Sequence, residues 1–493
     1  MNLADVVARH AAFAPGKVAL RAECGELTYG GLSARIEAAA AMLGGHGVGR
    51  GDRVAVLALN HPDTLVLLYA CARLGAMLAP LNWRLAGPEL AYILADAEPK
   101  LLASDATFAA AAADLAGPRA GLRRIEIGAA LDHLPAAGDA TGEGDLRDPL
   151  LLVYTSGTTG RPKGAVLAQE ALVWNGVMSA HMHGLTAADH VLAVLPFFHV
   201  GGLNIQTTPA LHAGATVTIH SRFEPGATLR AVAADRPTLT VLVPATIAAV
   251  LADPGFAAAD LSSLRAVTTG STYVPQQLVD ALEARGVPVL QVYGATETCP
   301  VAVYTALSGE RSRPGSTGWP GPFCEAKVVD GSGGELPHGR AGEIWVRGPQ
   351  VFAGYWRDAA ASADALAGGW FRTGDIATRD PDGAFTVHDR KKNMIVSGGE
   401  NIYPAEVERV LLGHRAVAEA AVVGRPDPRW GEAPVAFVVP RGGSDGLAAA
   451  LSEHVRAELA RFKVPRDYVF VEELPKSALG KVQHHLLREG GAR

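Results

Sequence analysis

Four short apolar runs, residues 150–153, 191–195, 264–267 and 287–292, each close on a loop of glycines and polar side chains, and this recurrence constrains the fold more than any other feature. The loops read Tyr154-Thr155-Ser156-Gly157-Thr158-Thr159-Gly160-Arg161-Pro162-Lys163-Gly164, Pro196-Phe197-Phe198-His199, Thr268-Thr269-Gly270-Ser271 and Tyr293-Gly294-Ala295-Thr296-Glu297. Elsewhere β-type runs alternate with helical patterns: 54–59 reads as a strand, 64–74 and 84–96 as helices, and 100–104 again as a strand. Such alternation marks parallel sheets covered by helices. Ligands bind outside the carboxyl ends of parallel strands, so four loops of this kind predict one shared site.

A chain of 493 residues, 48% hydrophobic, exceeds one ordinary domain and predicts at least two. Residues 108–148 are rich in Ala, Gly and Asp with weak periodicity and read as a variable surface segment. After about residue 310 the pattern changes to short strands, 325–329 and 342–347, around the turn 330–334, which predicts a small antiparallel barrel. The charge run Asp389-Arg390-Lys391-Lys392, then glycines and a helix from about Pro404, marks the start of a C-terminal domain.

Lys+Arg at 44 against Asp+Glu at 50 gives a net charge of -6, which leaves no electrostatic footprint for nucleic acid or an anionic membrane. The cysteines Cys24, Cys71, Cys299 and Cys324 are scattered without zinc spacing, the pattern of reduced thiols in a cytosolic protein. The first residues lack the build of a signal peptide, and the longest apolar stretch, 64–72, is bounded by Asp63 and Arg73. The expectation is a cytoplasmic protein with no transmembrane segment.

The first loop is built to hold phosphate. Gly157, Gly160 and Gly164 let backbone N–H groups turn inward, Thr155, Ser156, Thr158 and Thr159 add hydroxyl donors, and Lys163 adds a positive charge. It is not a Walker A loop, because Pro162 stands where the second glycine belongs and Gly164 where the metal-binding hydroxyl belongs. Glu297 offers a hard oxygen to Mg²⁺, Thr296 a hydroxyl to an α-phosphate and Tyr293 a ring to stack on adenine; a strand-end turn with a solvated glutamate is the plainer alternative. Asp375, in Phe371-Arg372-Thr373-Gly374-Asp375, is suited to accept two ribose hydroxyls, with Arg390 as reinforcement, or is an ordinary Gly-Asp turn. His199, among apolar residues, reads more readily as a satisfied core group than as an acid or base.

With these motifs in order, the chain resembles the adenylate-forming enzymes: acyl-CoA synthetases, luciferases and peptide-synthetase adenylation domains. The resemblance runs from Leu27-Thr28-Tyr29 to Lys481 and implies an α/β fold. Its large N-terminal domain, 1–388, would hold two helix-covered sheets and a small β-barrel, and its small mobile α+β C-terminal domain, 389–493, would hinge at Asp389. It also assigns ATP contacts to the Thr-rich loop, to Gly270, Ser271, Tyr293, Gly294, Asp375 and Arg390, and Mg²⁺ to Glu297. His199 would border a carboxylate pocket lined by Val200, Gly202, Cys299 and Val301. Lys481, in Leu474-Pro475-Lys476-Ser477-Ala478-Leu479-Gly480-Lys481, matches the catalytic lysine, whose ammonium can bridge a carboxylate oxygen and the α-phosphate. Gly398 and Gly399 would approach the pantetheine channel, and Trp430 and Phe462 would pack on the adenine of coenzyme A, with Val464 replacing the basic residue expected nearby.

The resemblance implies an acyl-CoA synthetase: a carboxylic acid and ATP give acyl-AMP and pyrophosphate, then coenzyme A displaces AMP. A carrier-loading adenylation enzyme, a luciferase-like oxygenase and a non-catalytic nucleotide-binding relative share the motifs. The expected pocket residues Val200, Gly201, Gly202, Asn204, Thr269, Cys299, Pro300 and Val301 include no Arg or Lys, which favours a monocarboxylate, medium-chain aliphatic or aromatic. The expected partners are that small acid and coenzyme A, with no nucleic acid, and a homodimer is left open.

Overall fold

The computed structural model describes residues 1–117, 119, 121–128, 144–156, 162–270, 274–308, 315–397, 400–428, 430–476 and 482–488. Two large sheets dominate the N-terminal part. In the seven-stranded sheet, Met77–Pro80, Arg53–Leu57, Leu101–Ser104 and Arg123–Glu126 run parallel beside Pro149–Ser156, and an antiparallel edge is formed by Pro162–Ala168 and Gly354–Tyr355. The nine-stranded sheet has a parallel centre, Val289–Tyr293, Ala266–Gly270, Leu239–Val241, His190–Ala193, Thr216–Ile219 and Val18–Ala22. Antiparallel strands close both of its flanks.

The helix Pro62–Leu74 illustrates why these elements form where they do. Pro62 opens it in the first turn and the His61 side chain accepts from Asp63 N–H. Gly75 ends it in the left-handed conformation at φ 69°. Leu65 to Ala72 are all buried, as expected for a helix lodged among other elements rather than lying on the surface. The segment 108–148 is more ordered than its composition suggests, since Ala109–Ala116 is a helix and Arg123–Glu126 an edge strand. Residues 129–143 lie outside the described part.

The small barrel expected after residue 310 is a four-stranded antiparallel sheet, ordered Glu325–Val329, Gly342–Arg347, Phe371–Arg379 and Phe385–Arg390, with no pairing between its edge strands among the described residues. Asp389 and Arg390 are the last residues of this sheet, so the charge run begins inside a strand. Beyond it the smaller C-terminal domain builds a five-stranded sheet centred on Val417–Asp427 and Gly431–Pro440. Its core, Ile395, Ile402, Val407, Leu411, Val422, Val438, Leu451 and Val455, draws on no residue before Ile395. No helix among the described residues is long and apolar enough to cross a membrane.

Candidate active site

Three of the four loop-bearing strands, His190–Ala193, Ala266–Gly270 and Val289–Tyr293, lie in the nine-stranded sheet, and the fourth, Pro149–Ser156, lies in the seven-stranded sheet. The fourth is also not a strand followed by a helix. Pro149–Ser156 and Pro162–Ala168 form an antiparallel ladder from Pro149↔Ala168 to Ser156↔Pro162, so only residues 157–161 connect them. Gly157, Thr158, Thr159 and Gly160 lie outside the described residues. Thr155 and Lys163 are direct partners across the ladder. Gly164 is required by close packing, because a Cβ there would lie 2.6 Å from Leu152 Cδ1 and 3.3 Å from Trp356 Cβ.

The two sheets and the small antiparallel sheet converge on one cluster of charge. Glu297 sits in a buried 3-10 turn, Thr296–Thr298, at the end of Val289–Tyr293, with Thr296 half-buried beside it. Tyr355, from the edge strand of the seven-stranded sheet, donates its hydroxyl to Glu297 Oε1 at 2.8 Å. Asp375 Oδ2 accepts from Tyr293 Oη at 2.8 Å, and Asp375 Oδ1 pairs with Arg390 Nε at 3.0 Å. Burial pushes the Glu297 carboxyl above its ordinary range, and the Tyr355 and Tyr293 hydroxyls are raised by burial and these carboxylates. Arg390, raised chiefly by Asp375, is the cation that both carboxylates share. Tyr293 therefore does more than offer a ring, since its hydroxyl orients Asp375. Each Asp375 oxygen keeps acceptor capacity beyond these bonds.

Tyr355 and Asp358 were not legible as site residues. They belong to a strap, 354–358, fixed by Trp356 N–H to Gly164 O at 2.7 Å, Trp356 Nε1 to Asp96 O at 3.1 Å, and Arg357 Nη2 to Glu98 Oε2 at 2.6 Å. Asp358 Oδ1 caps the helix Ala359–Ala365, and its Oδ2 pairs with Lys163 Nζ at 3.1 Å. Lys163 also lies 5.4 Å from the centre of the Tyr355 ring. The one sequence signal was the glycine and aromatic pair Gly354-Tyr355-Trp356, too short to show any periodicity.

The two stretches expected to form a pocket are also brought together. His199 stands at the N-cap of the short helix Val200–Asn204, its ring 4.6 Å from Phe198. Burial and the nearby Arg84 guanidinium lower its pKa to about 4, so at neutral pH the imidazole is uncharged. Asn204 Nδ2 lies 3.5 Å from Cys299 Sγ, while Asn175 bonds both Asn204 O at 2.6 Å and Val301 N–H at 3.0 Å. Val200, Cys299 and Val301 are buried, and burial pushes the Cys299 thiol far up, so it stays protonated. Gly202 leaves no room for a side chain, since a Cβ there would meet Pro196 O at 2.3 Å and Leu195 O at 2.6 Å. At Gly201 the nearest atom would be Ile205 Cδ1 at 3.9 Å. Gly270 and Gly294 are required by close packing, against Val292 O at 2.2 Å and Pro300 O at 1.5 Å.

In the C-terminal domain Trp430 carries a basic neighbour after all, Arg466, whose guanidinium lies 5.6 Å from its ring. Val464 is buried in the core, and Phe462 is exposed. Asp389 is held on three sides, accepting from Arg390 N–H at 2.6 Å, Asn393 Nδ2 at 3.1 Å and Ala405 N–H at 3.0 Å. Ser271, Gly398, Gly399 and Lys481 lie outside the described residues.

Glu297, the Asp375–Arg390 pair and Lys163 are thus linked through Tyr355 and Tyr293 where the three sheets meet. The chain belongs to the AMP-binding enzyme family, which matches residues 7–356, and its C-terminal domain family matches residues 406–481. It is an adenylate-forming acid–thiol ligase. Among its relatives, the indoleacetate–CoA ligase of Aromatoleum aromaticum is 47% identical over 510 residues, covering 100% of this chain and 99% of that protein. A feruloyl-CoA synthase of Amycolatopsis sp. is 43% identical over 96% of each. Of the solved structures, an anthranilate CoA ligase in complex with anthranoyl-AMP superimposes with a TM-score of 0.93 at 29% identity, covering 100% of this chain and 97% of that one.

Proposed function

We propose that this ligase activates an aromatic monocarboxylic acid and transfers its acyl group to coenzyme A. The observation that carries this reading is the buried junction of Val200–Asn204 with Cys299 and Val301, which sets Val200, Leu203, Cys299 and Val301 beside an uncharged His199. An apolar ring suits such surroundings, and a second carboxylate would lie there unpaired. The relatives named for indoleacetate and ferulate, alike over almost the whole chain, support the aromatic over the aliphatic alternative.

In this reading Asp375 takes the ribose hydroxyls while Arg390 and Tyr293 hold its carboxylate in place. The 157–160 loop, Thr155, Ser156 and Lys163 face the phosphates, and Gly270, Ser271, Tyr293 and Gly294 face the base. Glu297 is suited to Mg²⁺, because this cation is usually held by one or two carboxylates plus substrate phosphates, and no cluster of three or more ligating side chains exists among the described residues. When bound it would neutralise developing phosphate charge. Lys481 supplies the cation where the carboxylate meets the α-phosphate. Gly398, Gly399, Trp430 and Phe462 serve coenzyme A, with Arg466 in place of the basic residue missing at Val464. The domain boundary falls at Asp389.

A panel of aromatic and aliphatic acids scored by pyrophosphate release tests the assignment. Aryl acids should exceed fatty acids of similar volume by about tenfold or more in kcat/KM, and the reverse order would refute it. Pocket volume is set at Gly201. Gly201→Leu should abolish turnover of the bulkiest accepted acid and spare short ones such as propionate, because added methylenes fill the slot. Gly202→Leu, which drives a side chain into backbone carbonyls, should depress all acids alike. The opposite assignment of the two effects would place the wall at Gly202.

Asp358 competes with phosphate for Lys163 in the nucleotide-free enzyme. Asp358→Asn preserves the helix cap, since asparagine caps as well as aspartate. Both partners of the pair are partly exposed, so the gain is modest: ATP should bind up to about fivefold more tightly at low salt by calorimetry. Weaker binding would mean that Asp358 positions Lys163 productively instead.

A further inference from the structure

A chain of buried hydrogen bonds behind the proposed pocket fixes every proton and ends on an acceptor with nothing to accept. Ser179 Oγ donates its one proton to Ile205 O at 2.6 Å. His183 Nδ1 faces only acceptors, Ser179 O at 2.7 Å and the committed Ser179 Oγ at 3.2 Å, so Nδ1 carries the hydrogen. Burial holds the His183 pKa near 4, the ring is neutral, and Nε2 therefore accepts from Thr268 Oγ1 at 2.8 Å. With its proton spent, Thr268 Oγ1 can only accept from Gln206, at 3.1 Å, which requires the amide NH₂ to face it. The orientation of an amide is usually ambiguous, and here the network settles it. Gln206 Oε1 must point the other way. It is buried, in a residue 1% exposed, and no donor reaches it among the described residues.

We propose that Gln206 is a specificity residue whose carbonyl accepts a hydrogen bond from an N–H or O–H at the end of the aromatic acid remote from its carboxylate. The inference rests on the reading above that the segment after His199 faces the acyl group. Gln206 lies two residues beyond the helix Val200–Asn204 and is anchored to Thr268, two residues inward from Gly270 at the end of its strand. Thr268, and Gln206 bonded to it, thus lie inward along the strand from Gly270, where contact with the base is proposed. A ring N–H or a phenolic O–H satisfies it. A hydrocarbon tail leaves it unpaired, and a second carboxylate sets acceptor against acceptor. Sites built to bond a substrate N–H or O–H reject analogues lacking it far more strongly than apolar slots reject a missing methylene.

The test compares acids that differ only in the donor: indole-3-acetate with benzofuran-3-acetate, and 4-hydroxycinnamate with 4-methylcinnamate, by kcat/KM for pyrophosphate exchange. The parental enzyme should favour at least one donor acid over its isostere by about tenfold or more, mainly through KM. Gln206→Leu should bring that ratio to about one by weakening the donor acid and improving the isostere. A parental ratio below about threefold in both pairs, as expected if buried water satisfies the amide, overturns the proposal without any variant. An unchanged ratio in a folded Gln206→Leu enzyme overturns it equally. If no aryl acid supports exchange while a fatty acid does, the underlying aromatic reading fails as well; exchange with aryl acids but no donor preference removes only the role of Gln206.

Discussion

Lys481→Ala is expected to lower acid-dependent pyrophosphate exchange by about 10²–10³-fold while leaving conversion of supplied acyl-AMP to acyl-CoA largely intact. The carboxylate and the α-phosphate are both anionic as they approach, and Lys163, the lysine of the phosphate loop, is paired with Asp358. Lys481 belongs to residues 477–481, bracketed by the bridge between Lys476 and Val482, and Lys476 is tied to Glu419 at 2.6 Å. Once acyl-AMP exists its phosphate is no longer attacked by a carboxylate, so the second half-reaction does not need the same cation. Near-parental exchange in the variant would remove Lys481 from the mechanism.

Asp389→Pro should separate the half-reactions in the opposite sense. Lys481, Gly398 and Gly399 all follow Asp389 in the sequence, and the proposed function requires both the lysine and the glycines at the same reacting centre. One static arrangement is unsuited to both tasks, so a few residues must absorb a large change in φ and ψ. Asp389 stands where the last strand of the small sheet leaves for the C-terminal domain, and its carboxylate reaches Ala405 N–H in the first turn of the helix Pro404–Leu412. Proline fixes φ near -65° and removes that carboxylate. Pyrophosphate exchange should persist, while acyl-CoA formation from supplied acyl-AMP falls by about tenfold or more. A parallel fall in both would indicate general damage, and no fall in either would move the hinge elsewhere.

How far the sequence could be read is clearest at strand ends. The runs 325–329 and 342–347 coincide with strands because turn residues bound them on both sides. The run 264–267 is displaced from the strand Ala266–Gly270, because Thr268 and Thr269 are polar by composition yet wholly buried. Thr268 is tolerated there through its bonds to His183 and Gln206, partners far apart in the chain. Periodicity cannot report such a network. The same holds for Tyr355, whose two-residue strand has no pattern to detect, although its hydroxyl joins two sheets. Asp375 and Glu297 stand out in the sequence because each closes a motif, and Arg390 only as reinforcement to Asp375. The pairing that unites them had to come from the fold.

Passage of an aromatic acid through an adenylate to coenzyme A can be followed by staged addition. The enzyme is given ATP, Mg²⁺ and an aryl acid, pyrophosphate exchange is measured, and coenzyme A is then added with the nucleotide and thioester products quantified by mass spectrometry. Acid-dependent exchange is expected before coenzyme A is present, and afterwards one AMP and one aryl thioester for each ATP consumed. Release of ADP and phosphate, or exchange that yields no thioester when coenzyme A is supplied, would contradict it.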